Sequence, residues 1–226
     1  MEDIRKELSK LMLGYKFAMN DVLSKIEVLQ EEFKLIHKYS PIEHVGSRLK
    51  HPKSILKKLQ HKSLPFTYEA VHQHLKDIAG IRIVCSFEED LYKIADMLCM
   101  QRDIQLIEKK DYIQHPKENG YRSLHLIVKV PVFLSTEERD VYVEIQLRTI
   151  AMDFWASLEH KIYYKYHHVV PKHIQHGLKE AADQATALDK KMAKLNQEIN
   201  ILKDAHPEED EDMSKLINAF LTSNKK

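Results

Sequence analysis

The chain of 226 residues is 43% hydrophobic and 31% charged, an ordinary globular balance with enough apolar material for one sizeable core. Thirty-five basic against 34 acidic side chains leave a formal charge of +1, which argues against a nucleic-acid coat or a membrane-surface protein and requires any anion site to be assembled locally. Cys85 and Cys99, the two cysteines, lie in apolar runs and suit buried thiols in a reducing compartment rather than a disulfide framework.

The N-terminal MEDIRKELSK lacks the apolar core of a secretion signal, and no stretch approaches the roughly 18 apolar residues of a membrane span. A cytoplasmic protein without membrane association is expected. From Ile4 to Ile36 apolar residues recur three or four apart, predicting one long helix that ends before Pro41. Pro52 to Lys62 and Thr67 to Lys76 read as short helices, the second capped by Thr67. Ile81 to Cys85 alternates like a strand, and Ser86 with Glu89 forms a capping-box pattern for a helix ending near Met100. Ile104 to Ile107, Ser123 to Val130 and Val141 to Leu147 read as further strands, giving an α/β or α+β domain.

Beyond residue 170, Ile174, Leu178, Ala181, Ala185, Leu188, Met192, Leu195, Ile199 and Leu202 form a heptad seam. It can dock on the N-terminal helix of its own chain or pair between subunits. The acidic run Glu208 to Asp212 reads as a linker before a short helix around Leu216 to Leu221. The expected organisation is an N-terminal helix over 1–40, a core over 41–170 and a helical extension over 171–226.

Four segments could carry chemistry. In SRLKHPKSILKKL, the basic cluster Arg48, Lys50, Lys53, Lys57 and Lys58 suits a polyphosphate, with Ser54 and Lys58 on one helix face; the alternative is a solvated basic face. Asp77, just before the strand carrying Arg82, is placed to bind Mg²⁺ or to act as a cap or surface acid. In VYVEIQLR, the strand period leaves Tyr142, Glu144, Gln146 and Arg148 on one face, which is either a site or the solvent side of an antiparallel sheet. In HPKENGYRSLH, turn residues Asn119 and Gly120 precede Tyr121, an exposed aromatic able to stack on a base or a packing tyrosine; Lys117 and His125 could reach phosphates. The fourteen histidines match no zinc pattern and are assigned to the surface.

Taken in order with DIAGIRIVC, VEIQLRT and the helix MDFWASLEHKIYYKY, these segments resemble the synthetase domain shared by long Rel and SpoT-type proteins and small alarmone synthetases. The resemblance spans roughly Tyr39 to Tyr166, and no His-Asp dipeptide of the family's hydrolase type occurs. It implies a nucleotidyltransferase-like synthetase fold, a mixed sheet of about five strands flanked by helices, with long N- and C-terminal helices. It implies ATP-dependent pyrophosphate transfer to the 3′-hydroxyl of GDP or GTP, with Mg²⁺ as cofactor. Arg48 and Arg82 would sandwich adenine, and Lys50, Ser54 and Lys58 would hold the ATP phosphates. Tyr121 would stack on guanine, Lys117 and His125 would address the acceptor phosphates, and Asn119 and Gly120 would shape that pocket. Asp77 and Glu144 would hold the metal, Glu144 would be the general base, Gln146 would orient the acceptor, and Glu159 would support from behind. Arg122 stands where the family often has glutamine, a departure that bears on acceptor preference. The expected partners are ATP and GDP or GTP within a homotetramer, nucleic acid being disfavoured by the near-neutral charge. The readings kept open are an adenosine nucleotide or a tRNA 3′ end as acceptor, and a catalytically silent nucleotide or RNA binder.

Overall fold

The structure is a computed structural model, and it describes residues 2–36, 39–135, 137–165 and 170–205. Its framework is one mixed sheet of five strands in the order β1-β2-β5-β4-β3. The strands are β1 (Ile42–Leu49), β2 (Ala79–Cys85), β3 (Gln105–Asp111), β4 (Leu124–Phe133) and β5 (Glu138–Thr149). β2 and β5 run parallel, and the other neighbours are antiparallel.

Register decides which face is dry. Ile81, Ile145 and Leu126 are aligned across β2, β5 and β4, as are Ala79, Val143 and Val128, and all six are essentially fully buried. Two helices cover this apolar face. Helix α1 (Glu2–Ile36) contributes Leu11, Tyr15, Ala18, Val22 and Ile26, spaced three or four apart as expected. Helix α4 (Glu88–Cys99) adds Leu91, Ile94 and Leu98, each side chain worth about 1.5–3 kcal/mol on burial. Helices α2 (Pro52–His61) and α3 (Tyr68–His74) lie between β1 and β2 in the chain, and Thr67 caps α3 through the Ala70 amide at 3.2 Å. Among the described residues the other sheet face is covered only at one end, where α5 (Ile150–Lys165) and α6 (Lys172–Ala205) pack on each other.

Two expectations need correction. Strand β1 was not predicted, because IEHVGSRL has no clean alternation: it is an edge strand with an irregularity between Ile42 and His44. The Ser86/Glu89 capping box does not form. Phe87 is the N-cap, without a side-chain cap bond, and the Ser86 hydroxyl donates instead to Glu43 at 2.5 Å. The acidic first turn of α4, Glu88 to Asp90, still complements the helix dipole.

The seam on α6 is divided. Leu178 and Ala185 pack with Ala182 against α5, whereas Leu188, Met192, Leu195, Ile199 and Leu202 remain exposed. The buried line of α6, through Ala182 and Thr186, is offset from the heptad positions, so the helix rests on α5 and keeps its large apolar side chains outward. The acidic run and the last short helix lie outside the described residues. Cys85 is buried and Cys99 half-buried, both free thiols; burial raises the pKa of each.

Candidate active site

The open face of the sheet floors a cavity of about 650 Å³, walled by β1, β2, β4, β5, the loop before β4 and helix α5. Arg48 and Arg82, Lys117, Asn119, Tyr121, His125, Glu144 and Gln146 all line it, as does Glu159, which accepts a bond from Asn119 Nδ2 at 3.3 Å. The arginines have room because each faces a glycine across the β1–β2 ladder: Arg48 pairs with Gly80, and Arg82 with Gly46. A Cβ on Gly46 would sit 3.7 Å from Arg82 Nη2, so the guanidinium lies against the bare backbone.

The polar face of β5 is satisfied by a closed circuit of side chains. Gln146 Nε2 donates to Glu144 at 3.1 Å, and Arg148 Nη2 donates to Gln146 Oε1 at 2.8 Å. Arg148 Nε donates to the Tyr121 hydroxyl at 2.9 Å, which meets His125 Nε2 at 2.9 Å, and His125 Nδ1 lies 3.6 Å from Glu144. One orientation of the Gln146 amide serves both its neighbours, so the row is preorganised rather than merely solvated. Burial pushes the Glu144 carboxyl up, but His125 and the Gln146 amide outweigh it and hold its pKa below the ordinary carboxylate value. A carboxylate held in that state at neutral pH can accept a proton or a cation.

Asp77 stands outside the cavity wall and forms a second cluster with Lys50 at 2.5 Å and Lys58 at 2.8 Å. Burial raises its pKa and the two lysines lower it further, leaving the carboxyl below its usual range. Lys50 arrives from the end of β1 and Lys58 from α2, so an anion drawn to these lysines would meet Asp77 as competitor. Ser54 is exposed on α2.

Two expected residues are placed differently from their sequence reading. Tyr121 is not an exposed aromatic: it is 7% exposed and packs with Met152, Trp155 and Ala182 in a small second core. Burial raises the pKa of its phenol, while Arg148 opposes that shift. The reason is the turn before it, in which the Gly120 amide donates to the Lys117 carbonyl at 2.8 Å and the loop folds down onto α6. Lys117 Nζ lies 5.0 Å from the Tyr121 ring centre. Gly120 itself faces α6 rather than the cavity. Arg122 donates to the Ile113 carbonyl at 2.7 Å and is absent from the cavity wall.

Sequence reasoning gave no role to Arg148 and did not single out Asp153. Asp153 is 8% exposed in the first turn of α5, with Arg148 Nη1 at 3.1 Å and Arg82 Nε at 3.3 Å. Nothing in MDFWASLEH marks it, because its partners come from two distant strands.

Residues 47–169 match the family model described as the region found in RelA / SpoT proteins. This chain belongs to that family. The RelA/SpoT match covers the whole cavity wall except Gly46. Among family members, the chain is 48% identical over 200 residues to GTP pyrophosphokinase YwaC of Bacillus subtilis, covering 88% of this chain and 93% of that protein. The fold superposes on small alarmone synthetase 1 of Bacillus subtilis bound to its product pppGpp with a TM-score of 0.79, at 36% identity over 86% of this chain and 98% of that one. Small alarmone synthetase 2 of the same organism gives a TM-score of 0.77, at 46% identity over 85% and 99% of the two chains. Among the described residues no helix is long and apolar enough to cross a membrane.

Proposed function

We propose that this protein transfers the β,γ-pyrophosphate of ATP to the 3′-hydroxyl of GDP or GTP, yielding ppGpp or pppGpp and AMP. The observation that carries this reading is the Glu144 carboxylate, held ionised by His125 and Gln146 between the arginine pair of β1 and β2 and the loop of Lys117 and Tyr121. That placement offers a proton acceptor between two anion-attracting regions, as joining two nucleotides requires.

Arg48 and Arg82, planar and lying over glycines, are suited to clasp adenine, with Lys50, Ser54 and Lys58 toward the triphosphate. Across the cavity, Lys117, Asn119, Tyr121 and His125 serve the guanosine nucleotide, with Gly120 shaping their loop from the α6 side and Gln146 orienting the acceptor. Glu144 takes the 3′-hydroxyl proton as the ribose oxygen bonds to the β-phosphorus. The bond from that phosphorus to the bridging oxygen breaks, and AMP departs with the oxygen and its electron pair. Lysine and arginine side chains offset the charge that accumulates on the phosphates.

Asp77 and Glu144 would hold Mg²⁺, Asp77 exchanging for it the ion pairs with Lys50 and Lys58. Asp77 and Glu144 are both held as anions, and each is a hard oxygen donor. Mg²⁺ is commonly held by one or two carboxylates and completed by substrate phosphates. The bound ion would supply neutralisation of charge on the transferring group. In this reading 41–170 is the catalytic core, 1–40 is an N-terminal flank carrying α1, and 171–226 is a C-terminal extension that begins with α6 and whose residues beyond 205 lie outside the described ones. The exposed apolar positions of α6 favour a homo-oligomer, a tetramer being our proposal.

The test incubates purified protein with Mg²⁺, γ-labelled ATP and, separately, GDP, GTP, an adenosine nucleotide and deacylated tRNA. Label on a guanosine nucleotide with matching AMP release is expected, together with a fall of at least a hundredfold in Glu144→Gln. Label on tRNA or an adenosine acceptor alone would replace the acceptor, and nucleotide binding without AMP release would leave only a binder.

A further inference from the structure

The two halves of the cavity are joined through one carboxylate that has no place in the roles given above. Asp153 Oδ1 faces Arg148 Nη1 at 3.1 Å in a hydrogen bond and Arg82 Nε at 3.3 Å, and Oδ2 lies 3.7 Å from His44 Nε2. Thus the first turn of α5 is tied at a single side chain to β5, β2 and β1.

The two arginines that share it are held differently. Arg148 is fully engaged: besides Asp153 it donates to the Tyr121 hydroxyl and to Gln146, the residues facing the acceptor side. Arg82 has the looser hold. Its buried Nε is close enough to Asp153 for charge attraction but off-axis, and makes no hydrogen bond. Among the described residues no hydrogen bond engages its other guanidinium nitrogens, and Nη2 lies over Gly46. Two like charges lining one cavity repel, and a buried anion between them both cancels that repulsion and fixes where each plane points.

We infer that Asp153 is a positioning residue for both nucleotides, orienting Arg82 toward the ATP base and, through Arg148, fixing Tyr121 and Gln146 for the guanosine acceptor. This rests on the nucleotide assignment proposed above. Removing its charge must therefore weaken the two substrates together, although they occupy opposite halves of the cavity, and must act on binding more than on proton transfer, since the side-chain partners of Glu144 are His125 and Gln146, not Asp153 or Arg148. Loss of a charged hydrogen bond is commonly worth about tenfold or more in an equilibrium constant.

The experiment measures Kd for α,β-methylene ATP and for GDP by calorimetry, and KM and kcat for transfer, in wild type, Asp153→Asn and Asp153→Glu. In D153N, both Kd and both KM values are expected to rise about tenfold with kcat falling less than about threefold, all measured well below the melting transition of the variant. D153E, which restores the charge, is expected to recover part of each loss. Weakening of one nucleotide only, of neither, or a loss confined to kcat would overturn the inference. Should D153N not fold, D153E decides alone: its carboxylate is displaced by one methylene, and weakening of both nucleotides supports the inference while weakening of one or none overturns it. A wild type that binds neither nucleotide would overturn the nucleotide assignment and this inference with it. A wild type that binds both, beside a D153N that does so equally well, would overturn the inference alone.

Discussion

Replacing Gly120 by alanine isolates the contact that seats the acceptor loop on α6. Gly120 has φ +84°, and an added Cβ would lie 2.7 Å from Ala182 Cβ, with the Lys179 carbonyl at 3.5 Å. An L-residue in the left-handed region costs about 1–2 kcal/mol. Carbon atoms pack best at about 3.5–4.0 Å, so the new methyl must move the loop or α6 by roughly an ångström, an overpacking of about 1–3 kcal/mol. Ala182 is fully buried mid-helix and cannot yield as a flexible tip would. Gly120→Ala should therefore destabilise the fold by about 2–5 kcal/mol and raise KM for GDP more than for ATP. Ala182→Gly alone should cost about 1 kcal/mol in helix propensity plus a small burial loss. In the double variant the steric part disappears while the φ strain persists, so the two effects should fall short of additivity by about 1–3 kcal/mol. Urea denaturation at one fixed protein concentration reads the cycle without interference from association. Additivity within about 0.5 kcal/mol would refute the contact.

The pH dependence of stability should have two limbs. Burial raises the pKa of Asp90 and Asp189, with Tyr39 and Thr149 only partly opposing it through hydrogen bonds at 2.9 and 2.6 Å. As pH falls from neutrality toward the ordinary carboxylate range, these groups take up protons in the fold before they do in the unfolded chain, so their contribution to stability should rise, against that of His72, whose pKa burial lowers. Asp77 and Glu144 are shifted downward, so below the ordinary range the folded state resists protonation and stability should fall again. Melting curves of the Asp90→Asn/Asp189→Asn variant should lose the first limb and keep the second; an unchanged first limb would assign it to other groups. On α6, Leu195 is 45% exposed in the outward apolar row, so Leu195→Glu should leave the melting of the fold intact while lowering the mass seen by light scattering. An unchanged mass would place the subunit contact elsewhere.

Periodicity alone determined much of this protein. The three-four spacing of α1 and the alternation in VYVEIQLR depend on the fixed geometry of helix and strand, and a residue's face follows from its neighbours in the chain. The polar row of Glu144, Gln146 and Arg148 was legible for that reason, and the shared motifs carried the wider assignment. What the pattern could not convey was which distant groups would meet that row. β1 escaped because an irregular edge strand has only one neighbour to impose alternation, and the exposed aromatic reading of Tyr121 failed because α6, sixty residues further on, closes over its loop. The division of the α6 seam and the meeting of Arg82 and Arg148 on Asp153 were likewise decided only by tertiary packing. Charge pairing and burial depend on distance in space, and residues from β2, β5 and α5 carry no local sign that they will converge.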